Sequence, residues 1–411
     1  MSKKTKTRFE KSIQYLEETL PEFQRYKPED VFDVRNDSEV HILFPYEHDD
    51  EDIILTKQEI IEQIEEFKAY KIDIDESRIE TPNAIYFLIS GHSFQANVIF
   101  SQQIKIESKY KNVDIKIDYK KRFLLGLISL KLSAYDEDYQ SPIYERNLLS
   151  LKYPNFLNKQ NLTLEKEAIN SFLFNLYCDN QLNLNLMSYE SYMFKYDEEL
   201  QELEDEDDSE EIDSELKLKP LIEYDDGMKM LLSAQTIFDT NFKYLSLYKI
   251  LEHYSSTALK VDAYEELAKK LDSPKSLNPD SRYLNSILEL ATSFELRKRD
   301  KELIKIVLKK SVDLMDVKEL FPLFIEDKLS GLTINYASKK SEIDKLVNTV
   351  AEILYSTRNQ LAHAKANFTE TGYECPSDQL DSLNSFTEAV AIRIIRWYAR
   401  LPYHMKEKNV S

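Results

Sequence analysis

From Asp225 onward the apolar positions recur at intervals of three and four. Met230, Leu231, Ala234, Ile237 and Phe238 mark one helix, and Leu245, Tyr248, Leu251, Tyr254, Ala258 and Leu259 mark the next. After a break containing Pro and Asn at Ser273–Asp280, the same period predicts helices over Ser281–Ser311, Asp316–Asp327, Ser341–Ala366 and Asp378–Arg400. In the last of these, Leu380, Leu383, Phe386, Val390, Ile394 and Trp397 form a stripe that would face a core.

Ahead of residue 197 the pattern is mixed. Arg8–Tyr26 reads as an amphipathic helix broken at Pro21, whose ring cannot continue the turn. Glu39–Tyr46 (EVHILFPY) and Asn83–Ser90 (NAIYFLIS) are apolar and β-rich enough to be strands. Between them Thr56 and Glu59 make a capping box heading a helix to about Tyr70, with Ile60, Ile61, Ile64 and Phe67 on its buried face. Alternation returns over Ser93–Ile106 and Val113–Tyr119, the RFLLGLISLKL run beyond fits a buried helix or a strand, and TLEKEAINSFLFNLYC opens a further helix. The fold class predicted is α+β: a mixed α/β domain over 1–196 as sensor or regulator, an acidic linker over 197–220, and an all-α bundle over 221–411.

Composition narrows the function. The chain has 411 residues, 42% of them apolar, and no run approaches the roughly 20 apolar residues of a spanning helix. The opening MSKKTKTRFEKSIQYLEETL lacks the apolar stretch of a secretory signal, and two cysteines, Cys178 and Cys375, suit a reducing, cytoplasmic setting. With 5 glycines there is no Gly-rich phosphate loop, which disfavours classical nucleotide-binding enzymes. The formal charge of −20 opposes a nucleic-acid partner at first sight, but residues 197–215 carry 13 acidic side chains and no basic one, leaving −7 on the rest. That tract reads as a solvated linker, or as a phosphate mimic shielding a basic groove.

Two histidine-bearing regions are candidates for chemistry. His41 and His48 lie near Asp49, Asp50, Glu51 and Asp52, but their spacing fits no ligand geometry for a metal, and no cofactor is expected. Within YSTRNQLAHAKANF, Arg358, Asn359 and His363 form an Arg-Asn-x-x-x-His string on a helix whose apolar face is Ile343, Leu346, Val347, Val350, Leu354 and Leu361. At 100° per residue Asn359 and His363 project nearly opposite that face, and Arg358 lies at its edge, about 140° from His363. Groups so placed converge on one phosphate more readily across a twofold between two copies, so a homodimer is expected. A looser copy, Arg35-Asn36 followed by His41, falls in a polar turn without a helical stripe. Lys365, with Arg393, Arg396 and Arg400 on the polar flank of the closing helix, could contact an RNA backbone or serve solubility. The same choice holds for Arg297, Lys298, Arg299, Lys301, Lys305, Lys309 and Lys310.

A multi-helix domain with Arg358-Asn359 and His363 near the end of a late helix, one closing helix after it and the aromatic FKYLSLYKILEHY helix before it resembles the HEPN superfamily over roughly residues 225–405. Many of its members are metal-independent endoribonucleases of prokaryotic toxin, CRISPR-associated or abortive-infection systems, and others are inactive binding or dimerisation modules. The resemblance implies that Arg358, Asn359 and His363 form the active site, that RNA is the substrate, and that an antitoxin or a phage-derived trigger governs it. Members paired with small nucleotidyltransferases carry a Tyr four residues after the His, where this chain has Asn367, so that pairing is not expected.

Overall fold

The computed structural model describes residues 6–25, 31–42, 53–73, 78–91, 94–131, 147–153, 162–187, 216, 218–296, 300–329, 334–362 and 369–406. The fold is α+β, and the contacts divide the chain into two compact units, Met1–Leu221 and Ile222–Ser411. No helix among the described residues is long and apolar enough to cross a membrane.

The first unit opens with α1 (Arg8–Thr19) and α2 (Pro21–Arg25), parted where Pro21 was expected to break the turn. Then β1 (Phe32–Val34), β2 (Val40–Ile42) and β3 (Ile53–Leu55) form a small antiparallel sheet in which His41 lies opposite Asp33 and Ile54. α3 (Lys57–Ala69) starts at the expected capping box: the Thr56 hydroxyl accepts from the Glu59 amide, and the Glu59 carboxylate accepts from the Thr56 amide. A larger antiparallel sheet follows, built from β4 (Lys71–Asp73), β5 (Arg78–Glu80), β6 (Ile85–Gly91), β7 (Glu107–Tyr110), β8 (Val113–Asp118), β9 (Asn147–Lys152) and β10 (Leu184–Leu186). Its order is β4-β5-β6-β9-β8-β7, with β10 also pairing β6. β6 is buried from Ile85 to Ser90, as suits a strand covered on both faces.

The alternating stretch Ser93–Ile106 holds a helix, α4 (Phe94–Ser101), rather than a strand. Its sequence is apolar nearly all round, and a short apolar run does not distinguish the two states. RFLLGLISLK forms α5 (Arg122–Lys131), and α6 runs over Leu162–Asn180. Two buried ion pairs tie helices to the sheet. Arg78 of β5 grips Glu165 of α6 with both Nε (2.9 Å) and Nη2 (3.1 Å), while Glu66 of α3 accepts from Lys121 (2.9 Å) and the Tyr86 hydroxyl (3.1 Å). Leu216 and Lys219, at the end of the expected linker, are held within this unit by the Lys105 carbonyl and Asp179. The acidic tract 197–215 lies outside the described residues.

The second unit is helical. α7 (Asp226–Gln235) and α8 (Thr240–Leu271) are capped by Asp225 and Asp239, each accepting a backbone N–H of the first turn. α9 (Ser281–Leu296), α10 (Asp300–Ser311), the short α11 (Leu323–Lys328), α12 (Lys340–Ala362) and α13 (Leu380–Arg400) follow. The helix expected over Asp316–Asp327 is divided by Phe321-Pro322 into a 3-10 turn, Lys318–Leu320, and α11. α8, about 48 Å long at 1.5 Å per residue, packs against α7, α10, α12 and α13. Its buried face carries Tyr244, Leu247, Tyr248, Ile250, Leu251 and Tyr254.

Candidate active site

α12 is anchored by Leu346, Val347, Val350, Ala351, Ile353 and Leu354, all buried, and by the Tyr244 hydroxyl, which donates to the Leu354 carbonyl (2.7 Å). Its last turns are set from the other side by the chain after residue 368. The Thr371 hydroxyl donates to Ser356 Oγ (3.1 Å), and the Cys375 amide donates to Thr357 Oγ1 (2.9 Å). Burial pushes the Cys375 thiol up to about 12, so it stays protonated and unreactive at neutral pH.

Arg358 follows the fully buried Thr357 and emerges at the edge of the buried face, with 28% of its side chain exposed. Three groups hold the guanidinium. Nη2 lies 3.4 Å from Glu252 Oε1, Nη1 donates to Asn359 Oδ1 (3.1 Å), and Cζ sits 5.9 Å from the centre of the Tyr248 ring. Tyr248 is almost wholly buried, and its hydroxyl has no hydrogen-bond partner among the described residues. Burial and the nearby Glu252 carboxylate raise the Tyr248 phenol well above its ordinary range, against the pull of Arg358, so it is neutral at any working pH. Arg358 and Asn359 are therefore brought together, with Asn359 orienting the guanidinium. His363 and Lys365 lie outside the described residues.

Glu252 and Tyr248 are the residues that sequence reasoning missed. A signal for them exists: Tyr244, Tyr248 and Glu252 recur at four-residue intervals on one face of α8. Glu252 continues that stripe at its partly exposed edge, where Arg358 pairs with it.

A cavity of about 780 Å³ opens between the start of α8, the end of α12 and the chain around Cys375. Phe242, 65% exposed, and Leu245 give it an apolar wall, and Asn241 and Gln360 bring amides. Of its carboxylates, Asp239 and Glu374 accept from backbone N–H groups, of Phe242 and of Thr371 and Gly372 respectively, while Glu370 is exposed on the rim.

The other basic candidates are dispersed. Arg393 donates to the carbonyls of Ala389 and Asp316, Arg396 is half-buried, and Arg400 is exposed at the end of α13. Lys301 pairs with Glu352, Lys305 with Glu302, Lys309 with Asp344, and Lys310 with Asp262 and Glu265. Carboxylates thus already answer these lysines, while Arg297, Lys298 and Arg299 lie outside the described residues. In the first unit His41 is a buried residue of β2 with Nε2 2.9 Å from Glu39 Oε1. Arg35 and Asn36 lie in the β1–β2 turn, and Asn36 Oδ1 accepts from the Ser38 amide and hydroxyl. His48 and Asp49–Asp52 are not among the described residues, and within those that are no metal-binding group of His, Cys, Asp and Glu occurs.

Compared with protein-family profiles, with curated proteins and with solved structures, the chain matches none.

Proposed function

We propose that the Ile222–Ser411 unit is a metal-independent endoribonuclease acting through Arg358, Asn359 and His363, of the HEPN type its sequence resembles. The observation that carries it is the partly exposed guanidinium of Arg358, fixed in direction by Asn359, Glu252 and the Tyr248 ring near the end of α12, one face of which is buried. RNA brings its own nucleophile. The 2′-hydroxyl attacks the adjacent phosphorus and loses its proton to His363, whose ordinary pKa near 6.5 suits the task. The P–O5′ bond breaks, and the leaving 5′-oxygen takes up a proton from water while the imidazolium of His363 returns one to solvent, so one proton passes in net from the 2′- to the 5′-oxygen. Arg358 stabilises the charge that grows on the phosphoryl oxygens with its two-pronged fork. The products are a 2′,3′-cyclic phosphate and a 5′-hydroxyl. The 780 Å³ cavity beside the end of α12 suits a neighbouring base, with Phe242 as a stacking surface.

Arg358 and His363 would stand about 140° apart if one unbroken helix carried both, so the site is completed between two copies of the chain. Such an activity fits a toxin or antiviral effector governed by an antitoxin or a phage-derived trigger, with the first unit as its sensor. One observation favours a second role, an inactive binding or dimerisation module: Glu252 already pairs with Arg358.

The test is cleavage of total RNA by the purified protein in EDTA. Activity is expected in the wild type, with loss in His363→Ala and Arg358→Ala and none in His41→Ala. Equal cleavage by wild type and His363→Ala would exclude the assignment, and loss under EDTA would point to a metal enzyme. Toxicity on expression, relieved by His363→Ala, separates an enzyme awaiting its trigger from a binding module.

A further inference from the structure

The buried face of α8 carries three tyrosines, Tyr244, Tyr248 and Tyr254, none more than 1% exposed. Two of their hydroxyls are answered: Tyr244 donates to the Leu354 carbonyl (2.7 Å), and Tyr254 donates to the Asp225 carboxylate. The third is not. The Tyr248 hydroxyl has no hydrogen-bond partner among the described residues, although its ring lies under the Arg358 guanidinium. A hydroxyl that leaves water without gaining a partner is costly, so the exception in this stripe calls for a reason.

Its surroundings supply one. The groups that act on the phenolic oxygen are Glu252, Arg358, Asp300 and Tyr355, which places it where α8, the start of α10 and α12 meet. The hydroxyl feels the Glu252 carboxylate yet does not bond to it, because Glu252 faces Arg358 Nη2 instead (3.4 Å). Of the two acids, Asp300 is exposed in the first turn of α10, where the helix N-terminus answers its charge. Glu252 is the anion that occupies the guanidinium, and a pair exposed on both sides gives way at small cost.

We propose that Tyr248 is a further catalytic residue: when a scissile phosphate replaces Glu252 on Arg358, the Tyr248 hydroxyl donates a hydrogen bond to one of its non-bridging oxygens. The bond strengthens as charge grows on that oxygen, so it counts for more in the transition state than in the bound substrate. Tyr248 exchanges no proton in this role. It stays a neutral donor, since burial and Glu252 hold the phenol far above its ordinary range. The proposal rests on the ribonuclease reading of Arg358 and His363.

The test is Tyr248→Phe in the full-length protein, which keeps the ring beneath Arg358 and removes one oxygen. The variant should melt at or slightly above the wild-type temperature, because the lost hydroxyl had no partner in the free protein. On an oligoribonucleotide spanning a cleavage site mapped in total RNA, kcat should fall about tenfold or more while KM stays within about twofold. Sulfur in place of a non-bridging oxygen at the scissile bond adds a readout that a structural role would not move. One of the two phosphorothioate diastereomers should slow the wild type severalfold and Tyr248→Phe hardly at all, since the variant has already lost that bond. Wild-type turnover by Tyr248→Phe, with His363→Ala and Arg358→Ala inactive, would overturn this role and leave the ribonuclease reading standing. Equal sulfur effects in wild type and variant, or a variant that melts well below the wild type, would overturn it as well. Cleavage by His363→Ala equal to that of the wild type, or none by the wild type, would remove both.

Discussion

Arg358 meets any substrate with a partner already in place. Its pair with Glu252 is partly exposed on both sides, and pairs of that kind contribute about 0.2–1 kcal/mol. The contact is strong enough to orient a guanidinium and weak enough to be exchanged for a phosphate. Glu252→Gln keeps the side chain's shape and removes the competing charge. If Arg358 takes the scissile phosphate, this variant should bind RNA up to about fivefold more tightly at fixed salt, by the same pair energy. Fluorescence anisotropy with a labelled single strand measures it, and unchanged affinity would show that Glu252 does not compete. The site is half legible in sequence. Arg358 and Asn359 are adjacent and their string can be read, whereas Glu252 and Tyr248 come from a helix about a hundred residues earlier, and only the interrupted aromatic stripe hints at them.

Elements were legible where local chemistry closes on itself. The Thr56–Glu59 box, the break at Pro21 and the three- and four-residue stripes of α12 and α13 carry their own partners within one or two turns, so their sequence states their structure. Phe94–Ser101 fails that test because FQANVIFS spreads its apolar residues around the sequence with neither a clear helical nor a clear strand period. Tight packing between elements is equally invisible to periodicity. Gly227 in the first turn of α7 lies against Tyr254 of α8, whose hydroxyl donates to Asp225, the residue that caps α7. A β-carbon at residue 227 would stand 2.7 Å from the Tyr254 Cζ, inside contact distance of a fully buried ring. Gly227→Ala should therefore destabilise the helical unit by about 1–3 kcal/mol despite the better helix propensity of alanine. Urea unfolding followed by circular dichroism would expose the error if the variant proved as stable as the wild type.

At the scale of the chain, the two units have different grammars. The first closes long-range pairs through β6 and β9, strands some sixty residues apart, which a reading of local pattern detects as strands but cannot order. The second is assembled around one element. α8 touches α7, which precedes it, and α10, α12 and α13, which follow it, so helices from both ends of the unit's sequence share its surface. α9 packs chiefly on α8 and leaves Leu284 and Leu288 to solvent. Stability within the unit is therefore layered. The backbone amides around Tyr244–Ala258 can meet solvent only when every neighbouring helix has let go, and should exchange hydrogen for deuterium at the rate set by global unfolding. Those of Leu284–Leu290 need only one helix to lift and should exchange earlier. The long central helix thus serves as a clock for the whole unit: its slowest amides report the full free energy of unfolding without a denaturant.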